Sequence, residues 1–340
     1  MIQKEDIRIR QVIVHIMDAT VGMPVLSDTM IDFGSEFAEF VRGHIYKTIS
    51  TDDAKECEFY KEHSEIYQLL STYKKEDFVG ISKDIAMYLY EIMNSNVEIP
   101  SADLCVVEFK AREEMYLGIL KLNYKESYTH RTKSSEDGTS NELIVHKSIL
   151  PNETQKLSEA AVIRLEDYSI KLLEKKYSVN GEKTNYFSYL FLKCSAKLSN
   201  KTKLSIVARA VETVQKEHYE EHKQYEEHMK AKNVIHEELL ENGSFVVEEL
   251  ASKIFEEEES LQVAFQDQME KYDMVKAEIA PIYETTTKKF EKQQLVTDTG
   301  IEIKIPMEQY KDDKCVEFLT NDDGTTSVLI KNINLLTAKL

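Results

Sequence analysis

The stretch Asn185–Lys216, NYFSYLFLKCSAKLSNKTKLSIVARAVETVQK, is where the chain changes character. It opens on an apolar run of Tyr186, Phe187, Tyr189, Leu190, Phe191 and Leu192. A basic, small-residue segment follows with Lys193, Lys197, Lys201 and Lys203, and a helical pattern then carries Arg209 and Lys216. Glu212 is its only acid, in a chain whose formal charge is −18. Segments with strand patterning precede this window, and charged helical patterns follow it. The aromatic run is read as an anchor on the sheet of the first half, with Lys203 onward launching the helical half.

Working back toward the N-terminus, Ile9–Met17 is a β-branched apolar run that predicts a strand, broken by Gly22 and Pro24. Residues 32–95 read as helical. Phe37, Phe40, Val41, Ile45 and Ile49 recur at helical spacing behind Asp32 or Ser35 as the cap. A shorter helix is expected near Ser64–Tyr73. A third begins around Asp77 and carries Ile81, Ile85, Tyr88, Leu89 and Ile92 on one face. Leu104–Phe109 and Met115–Leu122 read as paired strands around the turn Ala111–Glu114. The polar residues 128–141 read as a loop. Leu143–Leu150, Ala160–Leu165 and Tyr168–Leu173 read as further strands.

Toward the C-terminus, one helix is expected from Lys203 to about Asn233, with Asn200 or Thr202 as its cap. More helices should follow to about Tyr283, interrupted at Asn242–Gly243, where Ser244 caps the next segment. Glu237–Ser260 is strongly acidic and ends in the run Glu256–Glu259, the pattern of a solvated helix face. Ile301, Ile303 and Ile305 alternate with polar residues. Val316–Leu319 and Ser327–Ile330 flank the turn signal Asp322-Asp323-Gly324, which makes a small β unit. The fold class is therefore α+β, a mixed sheet with a helical insertion in the N-terminal half, a helical middle and a small C-terminal β unit. The divisions fall at 1–184, 185–290 and 291–340.

No apolar run reaches the roughly 18 residues of a membrane span. MIQKEDIRIR has no apolar signal-peptide core. Cys57, Cys105, Cys194 and Cys315 are far apart and form no C-x-x-C pair, which argues for inert thiols. The acid excess excludes nucleic-acid binding over the whole surface and leaves only a local basic face. No dinucleotide-binding, P-loop or nucleophile-elbow pattern is present, and no catalytic residue and no cofactor are assigned.

His218-Tyr-Glu-Glu-His222 matches the H-x-x-E-H pattern, and on one helix both histidines would share a face for zinc. Its surroundings are charged all round and repeat the same unit at Tyr225–His228, which favours a solvated helix, and no metal site is assigned. Tyr116, Tyr124, Tyr128, Tyr168, Tyr186 and Tyr189 suit either core filling or base stacking.

Several segments recur together along most of the length: IRIRQVIVHIMD with VLSD near the N-terminus, ADLCVVEF and YLGILKLNY in the first half, and NYFSYLFLKCSAKLSNKTKL at the junction. TDTGIEIKIPMEQYKDDKCVEFLTNDDGTTSVLIKNI follows near the C-terminus. In their order and in overall length they make the chain resemble the bacterial 37-kDa nucleoid-associated protein family. The resemblance implies a cytoplasmic, non-enzymatic protein that associates with the nucleoid and binds DNA. It transfers no catalytic motif and no residue-level contact signature.

Charge alone selects Lys193, Lys197, Lys201, Lys203, Arg209 and Lys216 as the DNA-binding residues, touching phosphates without base readout. A homodimer is expected through the long helices and the edge-prone C-terminal strands, with further protein partners on the nucleoid and no membrane. The alternatives are a protein-interaction module acting through its acidic helices and, last, a zinc-dependent hydrolase.

Overall fold

In the computed structural model, which describes residues 2–19, 22–135, 138–282, 284–312 and 314–337, the apolar run near the N-terminus is strand β1 (Arg8–Met17). The helical insertion follows as α1 (Ser35–Ser50), β2 (Lys55–Phe59), α2 (Glu65–Ser71) and α3 (Phe78–Asn94). Next come β3 (Ala102–Ala111), β4 (Glu114–Asn123), β5 (Lys125–Ser135), β6 (Gly138–Ile149), β7 (Glu159–Arg164) and β8 (Ile170–Leu173). A short hairpin of β9 (Tyr177–Val179) and β10 (Glu182–Thr184) leads to a single π-helical turn, Phe187–Leu192, and then β11 (Cys194–Ala196). These elements form one compact unit, Met1–Ser199.

The first unit is built on one seven-stranded sheet in the order β1-β3-β4-β7-β8-β2-β11. The expected mixed sheet is antiparallel in every pairing. Both faces are covered. Leu104, Val106, Leu117, Ile119, Ala161 and Ile163 face α3 and the aromatic turn. Their neighbours Cys105, Val107, Leu120, Leu122, Ala160 and Val162 face α1 through Val41 and Ile45. Side chains alternate across a strand, so a strand buried on both sides reads as an unbroken apolar run. That is why β3 and β4 stand out in the sequence. Between them, Arg112 and Glu113 both take positive φ (47° and 71°), the geometry of a tight two-residue hairpin turn.

Gly118 faces Val107 directly across β3–β4, and a Cβ there would lie 2.6 Å from Val107 Cγ1. Gly118→Ala should cost about 1–3 kcal/mol through overpacking, read as a lower urea midpoint at unchanged slope.

Three readings of secondary structure change. Residues 32–95 are not wholly helical, because β2 pairs with β8 and β11. Its sequence KECEF buries only Cys57 and Phe59, and the alternating Glu56 and Glu58 face outward. The polar stretch 128–141 is strand, not loop, at its described residues. It belongs to the hairpin β5–β6, paired from Lys125↔Ile149 to Ser135↔Gly138. With both faces largely exposed, β5 carries no apolar alternation to betray it. The helix α1 begins behind Gly34, so neither Asp32 nor Ser35 caps it, whereas Ser64 caps α2 by accepting the Tyr67 amide at 3.1 Å.

The second compact unit, Asn200–Leu340, holds α4 (Asn200–His218) and α5 (Glu221–Glu241) where one long helix was expected. Glu220 is extended (φ −64°, ψ 150°) and breaks the run. The turn lays α5 back on α4, where buried Gln215 donates to the Glu227 carbonyl at 2.9 Å. Val207, Val211 and Val214 of α4 and Met229 and Ile235 of α5 are thereby buried. Beyond Gly243, at φ +70°, follow β12 (Phe245–Val246), α6 (Val247–Ile254), α7 (Glu259–Glu270) and β13 (Glu278–Ile279), with β12 and β13 paired. Ser244 therefore leads into a strand, and α6 starts after Val246.

The chain continues through α8 (Glu284–Thr287) and a 3-10 turn at Lys288–Phe290. It ends with the hairpin β14 (Lys292–Val296) and β15 (Glu302–Pro306), then α9 (Met307–Tyr310), then the hairpin β16 (Val316–Thr320) and β17 (Thr326–Ile330). Among the described residues no helix is long and apolar enough to cross a membrane.

Candidate nucleic-acid interface

The aromatic turn that opens the basic window is a structural element. Tyr186, Phe187, Phe191 and Leu192 are buried, and their rings pack together. The fully buried Glu174 side chain holds the turn in place. It accepts from the Ser188 amide at 2.9 Å and the Ser188 hydroxyl at 3.0 Å, and it pairs with Lys55 at 2.8 Å. Ser64 adds a 2.6 Å hydrogen bond to the Leu192 carbonyl. The turn ends at Lys193, whose φ of 47° is left-handed.

The six selected cations divide between the two units. Lys193 and Lys197 lie in the first, and each meets a carboxylate. Lys193 Nζ donates to both oxygens of Glu65 (2.7 and 2.6 Å) and lies 5.8 Å from the Tyr88 ring centre. The Glu65 hydrogen bond raises its pKa. Lys197 lies 3.3 Å from Glu58. Both pairs are exposed enough to be weak.

Lys201, Lys203, Arg209 and Lys216 all lie on α4. At about 100° per residue, Lys201, Arg209 and Lys216 fall within an arc of about 80°, opposite the buried face of Leu204, Val207, Ala210 and Val214. All three are exposed. They span 15 residues (216 − 201), about 22 Å of helix. Glu212 stands on the same arc and lowers its net charge. Lys203 falls outside the arc, and its Nζ donates to the Glu278 carbonyl at 3.1 Å.

The zinc reading loses its geometric basis. His218 ends α4 and His222 lies in α5, with the extended Glu220 between them, so they are not one turn apart on a single helix. One ring nitrogen of His218 lies 3.0 Å from the Val214 carbonyl oxygen. The side chains of Glu221 and His222 lie outside those described. Among the described residues no three His, Cys, Asp or Glu side chains gather as a metal-holding group.

Most of the tyrosines serve the core or its edge. Tyr116 stacks on Phe109 at 5.1 Å and donates to Glu114, Tyr124 donates to Asp103, Tyr168 packs on Tyr67, and Tyr186 is buried. Tyr128 on β5 and Tyr189 on the aromatic turn are exposed, at 72% and 69%. Cys57, Cys105 and Cys194 are buried free thiols and Cys315 is a half-buried one.

Two lysines that the sequence reading passed over, Lys232 and Lys289, converge with Glu212 on one cavity of the second unit. Their only advance signal is the helical spacing of His228 and Lys232.

No curated protein matches the chain. The family model described as NA37, nucleoid-associated protein YejK, matches residues 13–336 and so takes in both compact units. The chain belongs to the NA37 family, that of the nucleoid-associated protein YejK.

Proposed function

We propose that this chain is a cytoplasmic, non-enzymatic protein that binds DNA directly on the nucleoid, through phosphates and without base readout. The observation that supports the reading is the exposed stripe Lys201, Arg209 and Lys216 along about 22 Å of α4. Lys193, Lys197 and Lys203 contribute less, because none of them lies on that exposed arc of α4. Counter-ion release at these contacts makes the binding salt-sensitive, and the formal charge of −18 confines it to that face. We assign the homodimer contact to the C-terminal hairpins, whose Val296, Leu319, Leu329 and Ile330 are exposed.

A filter-binding salt titration tests the reading. Three phosphate contacts correspond to a slope of about −2.7 in log K against log salt, roughly a 40-fold loss between 50 and 200 mM. Reversing Lys201, Arg209 and Lys216 to Glu should abolish binding. Reversing Lys193, Lys197 and Lys203 should weaken it less. If the purified protein ignores DNA at low salt, direct contact is refuted, and a partner protein docking on the exposed acidic run Glu256–Glu259 is the better reading.

A further inference from the structure

Between α4, α5, the turn Lys288–Phe290 and β14 the second unit frames a half-open cavity of about 280 Å³. Val211, Ile235 and Phe290 give it an apolar lining. Its polar groups are Lys232, Lys289, His228, Gln294 and a single carboxylate, Glu212.

Lysines outnumber carboxylates two to one in this lining, the reverse of the balance in the whole chain, which has 61 acidic against 43 basic residues. Among the described residues Lys232 makes no ion pair. Lys289 makes none either, and its Nζ sits 4.8 Å from the Phe290 ring centre. Burial lowers the pKa of both ammonium groups. Lys289 adds to the effect on Lys232, while for Lys289 the pull of Glu212 opposes burial and Lys201 reinforces it. His228 is lowered as well, first by burial, with Glu212 opposing and Lys232 and Lys216 reinforcing.

Two ammonium groups beside a single carboxylate leave the lining with a net positive charge, and a bound anion offsets it. The apolar lining can bury the body of a small ligand, as such sites do. Glu212 would repel a bare anion, yet it can accept a hydrogen bond from a hydroxyl.

We propose that this cavity binds a small phosphate monoester bearing a hydroxyl group, of the nucleotide or sugar-phosphate class. Lys232 and Lys289 take the phosphate, the lining beside Phe290 and Ile235 takes the body, and Glu212 accepts from the hydroxyl. The cavity adjoins the exposed stripe on α4 through Glu212, and its ligand does not require DNA binding.

Isothermal titration calorimetry of the full chain with deoxyadenosine monophosphate and with glucose 6-phosphate tests it, using deoxyadenosine and glucose as the phosphate-free controls. At least one ester should bind, and its control should not. Lys289→Gln should weaken binding roughly tenfold, and Lys232→Gln with Lys289→Gln should remove it, with far-UV circular dichroism unchanged. Lys289 is exposed, so the single variant keeps the test sound if the double variant fails to fold. Failure of both esters to bind, equal binding of ester and control, or binding untouched by Lys289→Gln would overturn the proposal. Adding duplex DNA identifies the source of the phosphate. Simultaneous binding of ester and duplex supports the proposal, and displacement of the ester would assign the cavity to backbone phosphate and overturn it.

Discussion

Lys121→Ala should destabilise the first unit by about 3–5 kcal/mol, the largest loss expected from any single charged residue of the chain. Lys121 on β4 faces Glu159 on β7 across the sheet, and neither side chain has any exposed surface. Its ammonium donates to the Pro100 carbonyl at 2.9 Å and to the Asn123 side-chain oxygen, and it lies 3.6 Å from Glu159 Oε2. The Asn123 amide in turn donates to the same Glu159 oxygen at 2.7 Å. Without the ammonium, Glu159 is a buried carboxylate held by one amide. Converting both residues together, Lys121→Met with Glu159→Leu, should recover most of the loss, because no uncompensated charge remains. Urea unfolding of the three proteins measures this. A cost for Lys121→Ala below about 1 kcal/mol would mean that the pair contributes no more than an exposed one.

The same pair sets a pH dependence. Burial pushes the Lys121 pKa down to about 8, against the opposing pull of Glu159. The unfolded lysine titrates near 10.4. Below pH 8 both states carry the proton, and the full cost of the buried charge is present. Between about pH 8 and 10 the unfolded state holds more protons, so stability should rise with pH. Above about pH 10 the neighbouring Tyr177 and Tyr186 reverse the trend. Burial raises their folded pKa values, so the unfolded chain loses those protons first. Stability should therefore peak near pH 10, and Lys121→Met should flatten the rising limb.

Phe187→Ala is expected to cost about 3–5 kcal/mol, because the ring is wholly buried against Tyr186 and Phe191 and its removal leaves a cavity beneath the sheet. Phe187→Leu, which keeps most of the volume, should cost under about 2 kcal/mol. Thermal unfolding ranks the two. At temperatures where the first unit remains folded, both variants should bind DNA nearly as the parent does, since the aromatic turn supports the sheet and the principal proposed contacts lie on α4. A loss of DNA affinity in folded Phe187→Leu would put the aromatic turn itself in the interface.

Much of the fold was legible because its signals are local. The runs in β1, β3, β4 and β7 are apolar on both faces of a covered sheet, and the apolar spacing of α1 and α3 repeats within a few turns. Ser64, Gly243 and the Ala111–Glu114 turn act within a few residues of the chain and can be read where they stand. The order of the segments carried the family. The misread segments carry no such local signal. KECEF is a strand because β8 lies beside it, more than a hundred residues on. In the hairpin β5–β6 the strand Leu143–Leu150 was legible, whereas its polar partner β5 carries no buried face to announce it.

The interface divides the same way. The sequence by itself determined that only one long window of this acidic chain has a basic excess, and that no zinc, nucleotide or nucleophile motif stands in competition with it except H-x-x-E-H. Tertiary structure decided what that window presents. It sank the aromatic residues into the core and gave Lys193 and Lys197 carboxylate partners. It aligned Lys201, Arg209 and Lys216 on one face of α4, and it broke the helix between His218 and His222. It also brought Lys232 and Lys289, 57 positions apart (289 − 232), to one cavity. Period and composition are properties of neighbours along the chain. Whether a charge is paired, buried or free to meet a phosphate depends on neighbours in space, and those exist only once the chain has folded.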